Sequence, residues 1–324
     1  MLNIFVTYRC NLACPYCFAA DMKAEFPQDM SPEAYGRLLR WMSHEPPPAV
    51  AFIGGEPTLH PHLLEMIEDA VDSGIVAILF TNGLFRETVT DDLAALVSNF
   101  VVNYNDPALY TKAQSRLLHA NLDRLHKLGA RITFSKNFSG TYSDYGYLLE
   151  GIDRYDVQNV RYDISRPAPG GLNDHFTLDE GRRILAHAVG FVRACEERGV
   201  RTGLDCSVRL CDLKDEDRRY LERVSMKFGG VCHPSMDVHP DLSASYCLPM
   251  RHLAVPDITR LAGVSALRTR LAELARPIRY ANAPSECADC AEFMRRCQGG
   301  CMALTSRETP LCDGAATAIG ADIS

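Results

Sequence analysis

The side chains best suited to chemistry come early in the chain. Cys10, Cys14 and Cys17 form the run Cys10-x3-Cys14-x-Tyr16-Cys17. Three thiolates at that spacing on one loop can take three corners of a [4Fe–4S] cluster. Closed iron–sulfur sites use four cysteines, so one iron would stay open to a substrate or cofactor. Zinc is the alternative, as are scattered core cysteines. Zinc ligands commonly pair as C-x2-C, a spacing that only Cys14 and Cys17 have here. A second motif, Gly54-Gly55-Glu56-Pro57, bares the backbone so that a charged ligand can approach, and Glu56 can hold an ammonium group. A third block lies near the other end: Cys287-x2-Cys290-x6-Cys297-x3-Cys301, then Cys312, with Cys211, Cys232 and Cys247 upstream. Read alone, it could be a zinc ribbon.

These motifs need elements to hold them. Apolar runs at Leu2–Tyr8, Ala49–Gly54, Val76–Gly83, Phe100–Asn105, Ala130–Asn137 and Asn159–Ser165 read as strands, and helical segments separate them. Ser31 before Pro32 marks one helix start and Gly74 one helix end. Strands spaced by helices pair in parallel. Six such units make an open barrel or a doubly wound sheet, and in both the ligands gather at the C-terminal strand ends. The Cys10–Cys17 loop follows the first strand and Gly54–Glu56 closes the second, so the two should face one another. A further run, Arg201–Val208, follows a helix near Leu178–Arg198. From about residue 200 the alternation stops and the chain turns Cys-rich. A boundary there divides residues 1–200 from 201–324. A hairpin is expected within Ser235–Leu248, with His239-Pro240-Asp241 as its turn.

The totals narrow the function. The chain has 324 residues, a net charge of −7, and 47% hydrophobic and 23% charged residues, an ordinary globular composition. No Lys/Arg run is suited to extended nucleic acid. No apolar run is long enough for a bilayer span. Met1–Tyr8 lacks the pattern of a signal peptide, so a cytoplasmic location is expected, where thiols stay reduced. In that setting the 13 cysteines read better as metal ligands than as disulfides.

Cys10-x3-Cys14-x-Tyr16-Cys17 followed by Gly54-Gly55-Glu56-Pro57 resembles the radical S-adenosylmethionine (SAM) enzymes over roughly Met1–Val200. The resemblance implies a partial (β/α)6 barrel, with Cys10, Cys14 and Cys17 on a [4Fe–4S] cluster and SAM on its fourth iron. It implies that Gly54, Gly55 and Glu56 meet the methionyl amine and that Tyr16 lies beside the adenine. Ribose contacts would fall to Asn103 and to Ser135 or Asn137, although each can also be read as a strand-end turn former. Behind such a core, the second cysteine block resembles the SPASM domain, which holds two auxiliary [4Fe–4S] clusters. That likeness assigns Cys287, Cys290, Cys297 and Cys312 to an outer cluster. It assigns Cys232, Cys247 and Cys301 to an inner one, with Cys211 as the natural fourth ligand; a free Cys211 would leave that cluster an open iron. Two departures stand out: Leu242 replaces a usual glycine, and the x6 gap after Cys290 is one residue longer than usual. Cys195 and Cys206 read as core residues.

The resemblance implies an enzyme that cleaves SAM reductively and abstracts hydrogen from a substrate. A peptide is the first expectation, with a crosslink, an oxidation or an epimerisation as the outcome. A small natural-product or cofactor precursor is the second. A flavodoxin- or ferredoxin-type donor would supply electrons, and a separate peptide-recognition protein could deliver the substrate. Tyr104, Lys136, Asp163 and Asp205 are candidate catalytic side chains at the mouth. A zinc or iron–sulfur protein without catalysis is the remote alternative.

Overall fold

The computed structural model describes residues 1–141 and 143–308. Eight strands run parallel in one open sheet: β1 (Leu2–Thr7), β2 (Ala49–Gly54), β3 (Val76–Thr81), β4 (Asn99–Asn103), β5 (Ile132–Phe138), β6 (Asn159–Ile164), β7 (Arg201–Leu204) and the two-residue β8 (Ser225–Met226). Their order in the sheet is their order in the chain, as successive crossover helices on one side require. This is the partial barrel expected from the sequence. The sheet continues across residue 200, because β7 pairs with β6 and β8 with β7.

The helices form where sequence signals place them. Ser31 Oγ accepts from Ala34 N, and Pro32 opens the helix Pro32–Met42. A reciprocal Thr111–Gln114 capping box starts the helix Lys112–Lys127. Their apolar faces cover one side of the sheet, where Phe52, Leu79, Phe100, Val102, Phe134, Phe138, Val160 and Tyr162 lie buried. Period-two alternation sends the intervening residues to the barrel interior. Asn103, Ser135, Asn137, Arg161 and Asp163 are those interior residues, so the same six strands supply an apolar outer layer and a polar lumen.

The hairpin forms as the sequence suggests. β9 (Asp237–Val238) and β10 (Ala244–Ser245) pair antiparallel, and β11 (Ala254–Val255) adds to β10. β9 also pairs in parallel with β1, at Asn3↔Asp237 and Ile4↔Val238, so the Cys-rich half completes the open edge of the sheet. Asn3 Nδ2 donates to Asp237 Oδ1 at 2.8 Å and to Ser235 Oγ at 2.9 Å, fixing the junction.

Leu242 sits in the hairpin turn at φ +67° with its side chain buried. A glycine would hold this left-handed backbone without strain, which for an L-residue is about 1–2 kcal/mol. Removing a buried Leu side chain costs roughly 2–5 kcal/mol. The packing loss is the larger, so Leu242→Gly should destabilise the fold by roughly 1–3 kcal/mol, read as a lower urea midpoint. A midpoint equal to or above wild type would show that the strain outweighs the packing.

Candidate iron–sulfur and S-adenosylmethionine site

The cysteine loop leaves β1 and is fastened to the end of β2. Gly55 N donates to Thr7 O at 2.9 Å and Glu56 N to Arg9 O at 2.8 Å. Both glycines are required by this approach. A Cβ on Gly54 would stand 2.1 Å from Thr7 O, and one on Gly55 2.4 Å from Arg9 O. The Gly-Gly pair therefore brings the two strand ends together as well as baring backbone to a ligand.

Glu56 is fully buried. Its Oε1 accepts from Thr58 N, Thr58 Oγ1 and Thr81 Oγ1 at 3.2, 2.6 and 2.9 Å, and Oε2 accepts from Asn82 N at 2.7 Å. Burial raises its pKa, against the pull of these donors. Three donors use Oε1 and a single further donor uses Oε2, so Oε2 keeps lone-pair capacity. The carboxylate is thus first a clasp between the ends of β2 and β3, with acceptor capacity remaining for an ammonium group.

The thiols of Cys10, Cys14 and Cys17 form one electrostatic group. Burial raises all three pKa values, Cys14 to about 12; Cys14 feels the charge of Cys17 and Cys10, and Cys17 that of Cys10. Amide N–H groups point at the sulfurs: Leu12 N at 3.4 Å and Asn82 Nδ2 at 3.8 Å from Cys10 Sγ, and Asn105 Nδ2 at 3.8 Å from Cys14 Sγ. Donors to sulfur stabilise a thiolate-bound cluster and tune its potential. The set fits a cluster in number, donor chemistry and polarity. Among the described residues, no three His, Cys, Asp or Glu side chains form a site for a single metal ion.

Tyr16 is buried, with its hydroxyl bonded to Asn105 Oδ1 and 3.3 Å from Asn103 Nδ2. Asn137 Nδ2 donates to Asn103 Oδ1 at 3.2 Å. Beyond them Arg161 donates to Ser135 Oγ at 2.8 Å and is ion-paired to Asp205, which also meets Lys227 Nζ at 3.5 Å. The expected contacts Tyr16, Asn103, Ser135 and Asn137 therefore share one interior face. Asp163 and Asp205 open onto the same lumen. Arg161 and Lys227 hold the Asp205 carboxyl below its usual pKa despite burial, whereas burial raises that of Asp163.

Two candidates point elsewhere. Tyr104 stacks on Phe134 with ring centroids 4.5 Å apart, and Lys136 Nζ is 3.0 Å from Tyr147 Oη. Both lie on the helix-covered side of the sheet, on the opposite parity from Asn103 and Asn137, and so are not lumen groups. Burial brings the Lys136 pKa down to about 8. Asn105, beside Cys14, is missed by pattern reading, and Asn82, beside Cys10, is marked there only as part of Thr81-Asn82-Gly83, the end of the third strand, which could line the mouth. Only their place directly after strand ends, in Thr81-Asn82-Gly83 and Asn103-Tyr104-Asn105, marks them.

The described thiols of the second cysteine block interact in two groups. Cys232, Cys247 and Cys301 share charge interactions, and Cys287, Cys290 and Cys297 do likewise. Cys211, expected with the first trio, instead feels Cys297 and is felt by Cys287. Cys206, expected in the core, lies beside Asp163, Arg166 and Cys301. Cys312 lies outside the described residues, and Cys195 is a core residue as expected. Arg166 tests the fit of a cluster here. It is buried, its Nε has no hydrogen-bond partner, and although burial opposes its charge, Cys301 and Asp163 hold its pKa well up. A guanidinium so placed would be compensated by an anionic thiolate-bound cluster. Arg279 braces the same region, donating to Cys232 O at 2.8 Å and also bonding Gln298 and Tyr246.

Comparison with known proteins agrees with this geometry. Residues 4–129 match the family described as the Radical SAM superfamily. Fe-coproporphyrin III synthase of Methanosarcina barkeri is 36% identical over 209 residues, 60% of this chain and 52% of that protein. The chain spans about half or less of the length of the curated relatives it matches. Among solved structures, anSMEcpe with bound AdoMet and Kp18Cys peptide superposes with a TM-score of 0.68 at 18% identity, covering 93% of this chain and 88% of that one. Streptococcus suis SuiB bound to the precursor peptide SuiA gives 0.59 at 15% identity, with coverage of 93% and 71%. At these identities the likeness is one of fold, and it extends through the Cys-rich half.

Proposed function

Residues 4–129 are a radical SAM domain, and from that premise we propose that this enzyme abstracts hydrogen from a peptide substrate held in the barrel lumen. When bound, a reduced cluster and SAM supply a 5′-deoxyadenosyl radical at the lumen mouth. In this reading Cys10, Cys14 and Cys17 hold the cluster while Asn82 and Asn105 donate to its thiolates. The backbone of Gly54 and Gly55, with Glu56 Oε2, receives the methionyl ammonium. Tyr16, Asn103 and Asn137 line the nucleoside side, and Ser135 follows them along the same face. Arg161, Asp163 and Asp205 set the charge of the lumen, where a substrate carboxylate or amide would be positioned. Cys232, Cys247 and Cys301 hold one auxiliary cluster, and Cys287, Cys290 and Cys297 another. A flavodoxin- or ferredoxin-type protein delivers the electron, and a separate recognition protein can present the peptide.

The observation that carries the reading is the N-terminal thiol group with its amide donors, set against the Gly54–Glu56 turn. The peptide is supported by the fold shared across both halves with structures solved with bound peptides. A second reading, the same chemistry on a small cofactor precursor, is favoured by the 209-residue match to Fe-coproporphyrin III synthase. Reconstituted enzyme with SAM and dithionite separates the two. A short peptide encoded beside the gene should raise 5′-deoxyadenosine formation and change in mass or stereochemistry. Stimulation by an iron tetrapyrrole precursor of Fe-coproporphyrin III, and by no such peptide, would replace the peptide reading with the second.

A further inference from the structure

β6 is followed by a long connection, residues 165–180, which contains no helix or strand and ends at the helix Gly181–Glu196. Irregular connections of that length inside a compact fold usually carry function. This one is held at several points. At its start Ser165 N donates to Phe138 O at 2.7 Å, which keeps it beside the end of β5. Its middle then reaches the cysteine loop, where Gly170 N donates to Asp21 Oδ2 at 3.1 Å.

Two consecutive residues make the main junction. Asp174 N donates to Pro15 O at 2.8 Å, and Asn173 Nδ2 donates to Tyr16 O at 3.0 Å. Pro15 and Tyr16 are the residues between Cys14 and Cys17, so the connection takes both carbonyls of that turn. Asn173 Nδ2 also donates to Arg166 O at 2.8 Å, and Asn173 Oδ1 accepts from Ala168 N at 2.7 Å. Both amide hydrogens and the amide oxygen of Asn173 are thus in use. Asp174 Oδ2 accepts from Ser139 Oγ at 2.8 Å and from Thr141 N at 3.0 Å, in the segment after β5. The pair Asn173-Asp174 therefore clasps the cysteine loop to the ends of β5 and β6.

Tyr16 is pinned at two points by this arrangement. Its hydroxyl is bonded to Asn105, after β4, and its carbonyl is held by Asn173, after β6. The amide donors to the thiols come from other places, Leu12, Asn82 and Asn105. On the reading that Tyr16 lines the nucleoside side of bound SAM, we propose that Asn173 is a positioning residue for that nucleoside. It acts through Tyr16, by fixing the backbone from which the ring projects. Ligation of the cluster is left to the cysteines and their own donors.

Asn173→Asp in the reconstituted full-length chain tests this. The variant keeps the size of the side chain and the acceptor for Ala168 N. It sets a carboxylate oxygen, in place of a two-hydrogen donor, against Tyr16 O and Arg166 O. The KM for SAM and the inhibition constant of 5′-deoxyadenosine should each rise about tenfold, while inhibition by methionine and kcat at saturating SAM stay within about twofold. Iron content and the electron paramagnetic resonance signal of the SAM-free N-terminal cluster should match wild type. Leu172→Ala, at the next position, where the side chain is 88% exposed, should change none of these. If the Asp variant loses fold or iron, Asn173→Ser, whose hydroxyl is too short to reach Tyr16 O, is read in its place. Equal weakening of 5′-deoxyadenosine and methionine, or loss of the cluster in both variants, would make Asn173 a general brace of the loop and overturn the proposal. So would unchanged inhibition by 5′-deoxyadenosine in a folded variant, or an equal effect in Leu172→Ala. Tyr16→Leu with 5′-deoxyadenosine inhibition unchanged would overturn the placement of Tyr16 beside the nucleoside, and the proposal with it.

Discussion

Replacing Cys10, Cys14 and Cys17 together by Ala should abolish reductive SAM cleavage and remove about four irons, leaving the remaining clusters in place. The expectation rests on how these thiols are held. Each has a raised pKa in the bare protein, with burial as the largest cause, so the loop is an unfavourable place for thiolates until iron offsets their charge. The amide donors Asn82 and Asn105 come from the ends of β3 and β4. The cradle is therefore built by the sheet, and the triple variant should retain its fold and its thermal midpoint within a few degrees. Measured together, iron content, 5′-deoxyadenosine yield and the midpoint separate loss of the site from loss of the protein. Cleavage that persisted with the cysteines gone would place the chemistry elsewhere.

The second large effect is expected from a change of one atom type. Glu56→Gln preserves shape, yet every polar neighbour of that carboxylate is a donor: Thr58 N, Thr58 Oγ1, Thr81 Oγ1 and Asn82 N. Either orientation of the new amide sets an N–H group against N–H or O–H donors. A buried donor left without an acceptor costs about 1–3 kcal/mol. The hydroxyls can turn away, but the backbone N–H of Asn82 cannot. With the amide nitrogen toward Asn82, the end of β3 is pushed off, and with it the Asn82 amide that faces Cys10. SAM affinity should fall at least tenfold, the equivalent of about 1.4 kcal/mol, and the cluster should become easier to lose to chelators. Wild-type SAM affinity together with an unchanged midpoint in the Gln variant would show that the carboxylate's charge and its clasp are both dispensable.

Much of this was legible from spacing because parallel strands with crossover helices leave few arrangements. Once Leu2–Tyr8 and Ala49–Gly54 are strands, their following loops must share one end of the sheet. The five interior-facing polar positions follow from the same logic, since period two distinguishes Asn103 from Tyr104 and Asn137 from Lys136. That parity was the information needed to set Tyr104 and Lys136 aside, and it lay in the burial of Phe134 and Phe138 on either side of Lys136. Membership of the cysteine sets was not legible. Chain order puts Cys211 close to Cys232, but loop contacts such as that of Ser207 with Gly300 join residues 93 positions apart, and such contacts leave no trace in residue spacing. The Leu242 turn was readable only as a departure from glycine. The structure shows the backbone conformation retained and the side chain put to use in the core.

The pairing of β9 with β1 has a consequence for how the molecule is made. Asn3 waits for Asp237, a partner 234 positions away in the chain. At roughly 5–20 residues per second on the ribosome, that separation is about 10–50 seconds of synthesis. Through that interval the first strand has β2 on one flank and a bare row of amides and carbonyls on the other, the configuration most prone to recruit another chain. The loop that emerges earliest, with its three thiols, hangs from the same strand. Production of this protein should therefore respond to the pace of translation and to chaperone supply, since the edge of its sheet is closed only by the last third of the polypeptide.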